Sequence, residues 1–184
     1  MPRVLVPLAN GFEDIEAVSI VDVLRRGGIE VTLAGVETME PKGANGITIK
    51  TDRLFEGLSA DNFDMIVLPG GFEGTEVLST NINVQDVIKD FEAKNLPIGA
   101  ICAAPRALEA AGVLKEGFTC YPSVEESLKT GGYTDEKFVV ETENIMTSRG
   151  PGTAICFGLE IVKKLVGLPK YNQLKEGLLA SYCN

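Results

Sequence analysis

Apolar residues arrive in two rhythms along this chain: short unbroken runs, and longer stretches with helical spacing. Residues 3–8, with Val4-Leu5-Val6-Pro7-Leu8, form an unbroken run that predicts a buried strand. Residues 13–26 then carry helical spacing, and Gly27-Gly28 stops them. Residues 30–36 predict a second strand and residues 47–51 a short third one. Asp64-Met65-Ile66-Val67-Leu68 predicts a strongly buried strand, stopped by Pro69-Gly70-Gly71. Residues 82–94 predict a helix. Leu96-Pro97-Ile98-Gly99-Ala100-Ile101 predicts another buried strand, with a helix over residues 103–111 behind it. Residues 119–121, 138–141 and 145–148 are short strand candidates. Residues 153–166 predict an amphipathic helix with Ile155, Leu159 and Val162 on one stripe, and residues 171–180 a last helix.

Strands alternating with helices imply an α/β fold with a largely parallel sheet, and unbroken apolar strands imply a sheet covered on both faces. The pattern shows no linker, repeat or low-complexity tract, so residues 1–184 are expected to form one domain. In such folds ligands sit beyond the carboxyl ends of the strands. Three segments should converge there: Ala9-Asn10-Gly11-Phe12-Glu13, Pro69-Gly70-Gly71 and the turn at Cys102.

Composition narrows the functional classes. Hydrophobic residues make up 45% of the 184, enough for a sizeable core. No apolar run approaches the ~18 residues that span a membrane, and no signal peptide is apparent. The formal net charge of −9 argues against sequence-independent nucleic-acid binding, which needs a basic surface. Histidine is absent. Within one chain this excludes Cys-His dyads, Ser-His-Asp triads and most metal sites. Cys102, Cys120, Cys156 and Cys183 lie far apart in sequence and form no zinc or redox pair motif. A cytoplasmic protein with reduced thiols is the expectation. Cys156 lies on the apolar part of its helix, Cys183 at the tail is expected to be exposed, and Cys120 should point away from Tyr121 because strand side chains alternate.

Ala100-Ile101-Cys102-Ala103-Ala104-Pro105 is the candidate chemistry. A cysteine between a strand and a helix sits on a sharp turn. The helix N-terminus behind it supplies partial positive charge and free N–H groups, both of which favour the reactive thiolate. A buried cysteine acting as a small hydrophobe is the other reading of the same residues. Glu16 is the natural companion. On the helix over 13–26, the apolar positions Ala17, Val18, Ile20, Val21, Val23 and Leu24 sweep ~220° at about 100° per residue, more than one core face needs. The excess points to a second chain packed on this helix. Glu16 falls inside the apolar arc, where burial would favour its protonated form. A protonated carboxyl would donate to a Cys102 thiolate. The alternative is a solvated acid in a first helical turn, as Glu13 and Asp14 are more simply read.

Leu8-Ala9-Asn10-Gly11-Phe12-Glu13-Asp14-Ile15-Glu16, Val67-Leu68-Pro69-Gly70-Gly71, Ala100-Ile101-Cys102-Ala103-Ala104-Pro105 and Thr147-Ser148-Arg149-Gly150-Pro151-Gly152-Thr153 together resemble the DJ-one branch of the ThiJ/PfpI superfamily. The resemblance covers nearly the whole chain. It implies a flavodoxin-like, doubly wound, mostly parallel sheet with helices on both faces, as in class I glutamine amidotransferases. It also implies a homodimer formed partly through the helix over 13–26. In that likeness Cys102 matches an oxidisable nucleophile and Glu16 the glutamate bonded to it. Gly70 and Gly71 match a glycine pair whose backbone approaches the cysteine, and the Ala103 N–H takes an oxyanion position. Tyr121 lines the site where many members carry histidine, so a mechanism through that histidine does not carry over. Asn45 stands where some relatives have arginine, which loosens any claim for anionic substrates. Ala103, in place of the histidine of the peptidase-like branch, argues against proteolysis.

The resemblance implies a cofactor-free enzyme acting on a small aldehyde such as methylglyoxal, giving lactate, or on a glycated adduct. The alternative is a non-enzymatic redox sensor or chaperone-like protective protein that uses the same Cys102–Glu16 pair. Neither reading calls for a metal or cofactor. Arg149 reads as a turn or interface residue rather than a catalytic one.

Overall fold

A computed structural model describes residues 1–183. Its strands are β1 (Arg3–Leu8), β2 (Glu30–Gly35), β3 (Arg53–Leu54), β4 (Met65–Leu68), β5 (Ile98–Ile101), β6 (Val139–Thr142) and β7 (Ile145–Ser148). They form one seven-stranded sheet in the order β3-β2-β1-β4-β5-β7-β6. All pairings are parallel except β6 with β7. The helices are α1 (Asp14–Arg26), α2 (Phe72–Thr80), α3 (Ile82–Ala93), α4 (Pro105–Ala110), α5 (Ala154–Leu165) and α6 (Leu168–Gly177).

Strand side chains alternate faces, and the two cores divide accordingly. Val4, Val6, Leu8, Met65, Val67 and Ile101 join the apolar cluster that includes Ile20 and Leu24 of α1 and Phe157 and Leu159 of α5. Leu5, Ile66, Leu68, Ile98 and Ala100 join the other, with Val84 and Phe91 of α3 and Leu108 of α4. This is the doubly wound, flavodoxin-like arrangement, with helices on both faces.

Several elements differ from the sequence expectation. Residues 47–51 are not a strand. They belong to a loop closed by the Gly43 N–H to the Ile47 carbonyl at 2.8 Å, and Arg53–Leu54 takes the edge beside β2 instead. Residues 119–121 are also not a strand. The Thr119 N–H goes to Thr147 Oγ1 at 3.0 Å and the Tyr121 N–H to the Cys102 carbonyl at 3.0 Å, so the segment crosses the strand ends without joining a ladder. The helix behind Cys102 begins at Pro105 because residues 102–104 form the turn, and α6 begins at Leu168, earlier than residue 171. Helix α2 has too few apolar residues to show a period.

The thiols need a correction. Cys156 and Cys183 are joined in a disulfide, so the four are not all reduced. Cys183 is 2% exposed, not an exposed tail residue. The reason is tertiary: α6 packs on α5 and returns the C-terminus to the first turn of that helix, a proximity that 27 residues of separation conceal. The apolar excess on α1 is also partly accounted for within the chain, since α1 packs on α5 as well as on the sheet. Ile15 and Val18 stay 56% and 49% exposed.

Candidate active site

The adjacent strands β1, β4 and β5 release their three following segments on one edge of the sheet. Backbone bonds tie them together: Glu13 N–H to the Gly70 carbonyl at 2.9 Å, and Gly74 N–H to the Gly11 carbonyl at 3.2 Å. Cys102 follows β5 directly with φ of 64°, a left-handed conformation unfavourable for a residue with a β-carbon. Its own N–H donates to the Ser148 carbonyl at 3.0 Å and its carbonyl accepts from Tyr121, so the strained turn is held from both sides. The result is an elbow that turns the thiol off the strand line. Its free thiol is almost enclosed.

Glu16, in the first turn of α1, is 0% exposed. Its Oε2 accepts the Gly70 N–H at 2.7 Å, while its Oε1 is buried with no hydrogen-bond partner. The carboxyl is hydrogen-bonded to the Cys102 thiol. Burial raises its pKa to about 7, against the pull of the Gly70 and Cys102 bonds.

The Cys102 thiol is pushed up by burial first, and next by the Glu16 carboxylate, while the N–H groups of Gly71 and Ala103 pull it down. This corrects the expectation of a thiol lowered by the helix behind it. Helix α4 is short, starts three residues later, and does not outweigh the loss of solvent. Cys102 and Glu16 therefore titrate as a pair. Both acids are held up by the same burial, and a single proton can serve either of them. When that proton is on Glu16, the sulfur is a thiolate facing a hydrogen-bond donor.

The glycines act by their size. A β-carbon at Gly70 would lie 2.6 Å from the Cys102 Cβ and 2.7 Å from Glu16 Oε2. Gly71 has φ of 93°, and a side chain there would run into the Gly11 carbonyl. The Gly70 N–H is committed to Glu16, whereas those of Gly71 and Ala103 are bonded to the sulfur.

Tyr121 is 39% exposed beside this turn, whereas Cys120 is fully buried in the same apolar cluster as Cys102. Cys120 is also pushed up, to about 12, by burial and then by Glu125. Asp14 does something sequence reasoning missed. It is 3% exposed and accepts the N–H groups of Asn45 at 2.8 Å and Ile47 at 3.0 Å, anchoring that loop. Glu13 caps α1 by accepting the Glu16 N–H at 2.9 Å. The Asn45 amide donates to Glu13 at 3.3 Å. Among the described residues no cluster of potential metal ligands occurs.

The model of the DJ-1/PfpI family matches residues 2–164. The chain is 40% identical over 181 residues to protein dj-1beta of Drosophila melanogaster, covering 97% of each. The crystal structure of that fly protein superposes with a TM-score of 0.93 at 39% identity, covering 97% of both chains. A Caenorhabditis elegans protein named glutathione-independent glyoxalase DJR-1.2 is 38% identical over 168 residues, covering 90% of this chain and 89% of its own.

Proposed function

The chain belongs to the DJ-1/PfpI family, and on that premise we propose that it is a cofactor-free, cysteine-dependent α-oxoaldehyde enzyme. Methylglyoxal would be converted to lactate, and early glycation adducts would enter by the same first steps. The carrying observation is the Cys102–Glu16 pair: a buried carboxyl with a pKa of about 7, hydrogen-bonded to a thiol on a strained elbow. A relative named as a glutathione-independent glyoxalase supports the reading.

In this mechanism the Cys102 thiolate attacks the aldehyde carbon. A carbon–sulfur bond forms and the carbonyl electron pair moves to oxygen, giving a hemithioacetal. The Gly71 and Ala103 N–H groups, bonded to the resting sulfur, stand where the developing oxyanion is stabilised. Glu16, protonated while the sulfur is a thiolate, first gives its proton to that oxygen. As a carboxylate it then removes the proton from the former aldehyde carbon and returns it to the adjacent carbon, while the hydroxyl proton of the first carbon passes to the oxygen of the second. The first carbon is thereby oxidised to a thioester and the second reduced to an alcohol, so no outside oxidant is used. Water cleaves the thioester, releasing the hydroxy acid and the thiol. A carboxyl that titrates near neutrality suits both transfers, which is how a chain without histidine can carry them out.

The test is methylglyoxal turnover under reducing conditions for wild type, Cys102→Ser and Glu16→Gln. Many turnovers, lost in Cys102→Ser and reduced at least ~100-fold in Glu16→Gln, support the reading. One equivalent per chain or less refutes it. If Cys102 then still oxidises rapidly with peroxide, the non-catalytic redox role is the better account.

The proposal includes a homodimer built partly through α1, where Ile15, Val18 and the neighbouring Ile47 stay about half exposed. No described helix is long and apolar enough to cross a membrane, and a cytoplasmic setting is part of the same proposal.

A further inference from the structure

Two rings stand exposed at the rim of the site. Phe72 and Tyr121 keep 55% and 39% of their surfaces accessible. They meet edge to face, with centroids 6.0 Å apart and planes at 90°. Both rings are carried by segments tied to the same cysteine. The Gly71 N–H, one residue before Phe72, is hydrogen-bonded to the Cys102 sulfur. The Tyr121 N–H donates to the Cys102 carbonyl at 3.0 Å. Gly150 packs under the Tyr121 ring so closely that a β-carbon there would lie 3.2 Å from Cδ2. The ring pair is therefore held in place next to the nucleophile.

The charges nearby are acidic or engaged except at Arg149, which pairs with no carboxylate and whose Nε is buried without a hydrogen-bond partner. Glu16 acts on Cys102, and Glu13 acts on Glu16. Arg106, just inside α4, is paired with Glu76 at 3.5 Å. The Arg149 guanidinium donates to the Tyr133 hydroxyl at 3.3 Å. The Asn45 amide is turned to Glu13. A carboxylate on the substrate would meet Glu13 and Glu16, whereas the Arg149 charge acts on Cys120 rather than on Cys102. A flat neutral substituent would instead find aromatic surface.

We propose that Phe72 and Tyr121 form a substrate-selecting lip over Cys102, favouring α-oxoaldehydes with an uncharged aromatic substituent over those bearing a carboxylate. The inference rests on the α-oxoaldehyde reading of the site. The covalent step is unchanged. The lip acts by holding the substituent while the thiolate adds to the aldehyde.

The test compares kcat/KM for phenylglyoxal, 4-carboxyphenylglyoxal and methylglyoxal in wild type, Phe72→Ala, Tyr121→Ala and Phe72→Tyr. Wild type should favour phenylglyoxal over its carboxylated form by about tenfold. Phe72→Ala and Tyr121→Ala should each lower the phenylglyoxal-to-methylglyoxal ratio about fivefold, mainly through KM, as expected for loss of one aromatic contact. Phe72→Tyr should restore it. Unchanged ratios in both alanine variants overturn the lip. A second readout needs no turnover: alkylation of Cys102 by N-phenylmaleimide relative to N-methylmaleimide, with Cys102→Ser as the background. That ratio should fall in Phe72→Ala, and constancy again overturns the lip. Absence of turnover with every aldehyde refutes the oxoaldehyde chemistry alone, and the maleimide ratio still decides the lip.

Discussion

Reducing the Cys156–Cys183 bond should cost this protein a sizeable part of its stability. The bond closes a loop with 27 residues of sequence separation. Cross-linking a loop of that length removes enough freedom from the unfolded chain to stabilise the fold by about 3.5 kcal/mol on the chain-entropy account. A domain of this kind is stable by only about 5–15 kcal/mol in total. Unfolding entropy of about 2 cal/mol/K per residue, over the 184 residues, converts the loss to a fall of about 9 °C in Tm. The assay is a thermal melt followed by circular dichroism, with and without a phosphine reductant, on wild type and on Cys156→Ala/Cys183→Ala. Thiol titration in denaturant runs alongside and should count two thiols before reduction and four after. The double variant should melt close to reduced wild type and lose its response to reductant. An unchanged Tm in wild type, with titration confirming that two further thiols were released, would refute the reasoning. It would mean that the C-terminal segment is held by its packing on α5 alone.

Other outcomes follow from the same structure. Gly70→Ala forces a β-carbon against Cys102 Cβ and Glu16 Oε2, and should cost about 1–3 kcal/mol by overpacking. Alkylation of Cys102 by iodoacetamide should slow with it, as kinetics on folded variant would show. Glu16 makes stability fall with rising pH: its carboxyl is held up near 7 from 4.5, so between those values the folded chain binds more protons than the unfolded one. The contribution is complete below about 4.5 and is lost towards 7 and above, amounting to about 3 kcal/mol. Urea titrations from pH 5 to 8 should show that slope flattened in Glu16→Gln, and an equal slope in both proteins would contradict it. Val18→Asp should convert a dimer into a folded monomer in sedimentation velocity, whereas an unaltered mass would place any dimer contact elsewhere on the surface.

The elements legible in the sequence are those whose environment repeats along the chain. Val4 to Leu8 and Met65 to Leu68 are buried on both faces and so are apolar without interruption. Helix α1 showed both its core face and the odd position of Glu16 within it. Helix α2 is not legible, because its first turns, Phe72-Glu73-Gly74-Thr75-Glu76, carry no apolar stripe and only Val77 and Leu78 near its end reach the core. Residues 47–51 and 119–121 carry strand-like composition but hydrogen-bond to loops and side chains. At the site, the identities of Cys102 and Glu16 were readable, whereas the thiol's environment was not. Its protonation depends on how much solvent three converging segments exclude, and no local stretch encodes that. The disulfide was hidden for a related reason, since it depends on α6 doubling back along α5.

The backbone at Cys102 favours a different residue from the one it carries. With φ of 64°, glycine would occupy this turn without steric penalty, and any side chain costs about 1–2 kcal/mol. Cys102→Gly should therefore relax the elbow while removing its sulfur. Stability alone would favour glycine at this position, so the sulfur is carried at a cost that folding does not repay.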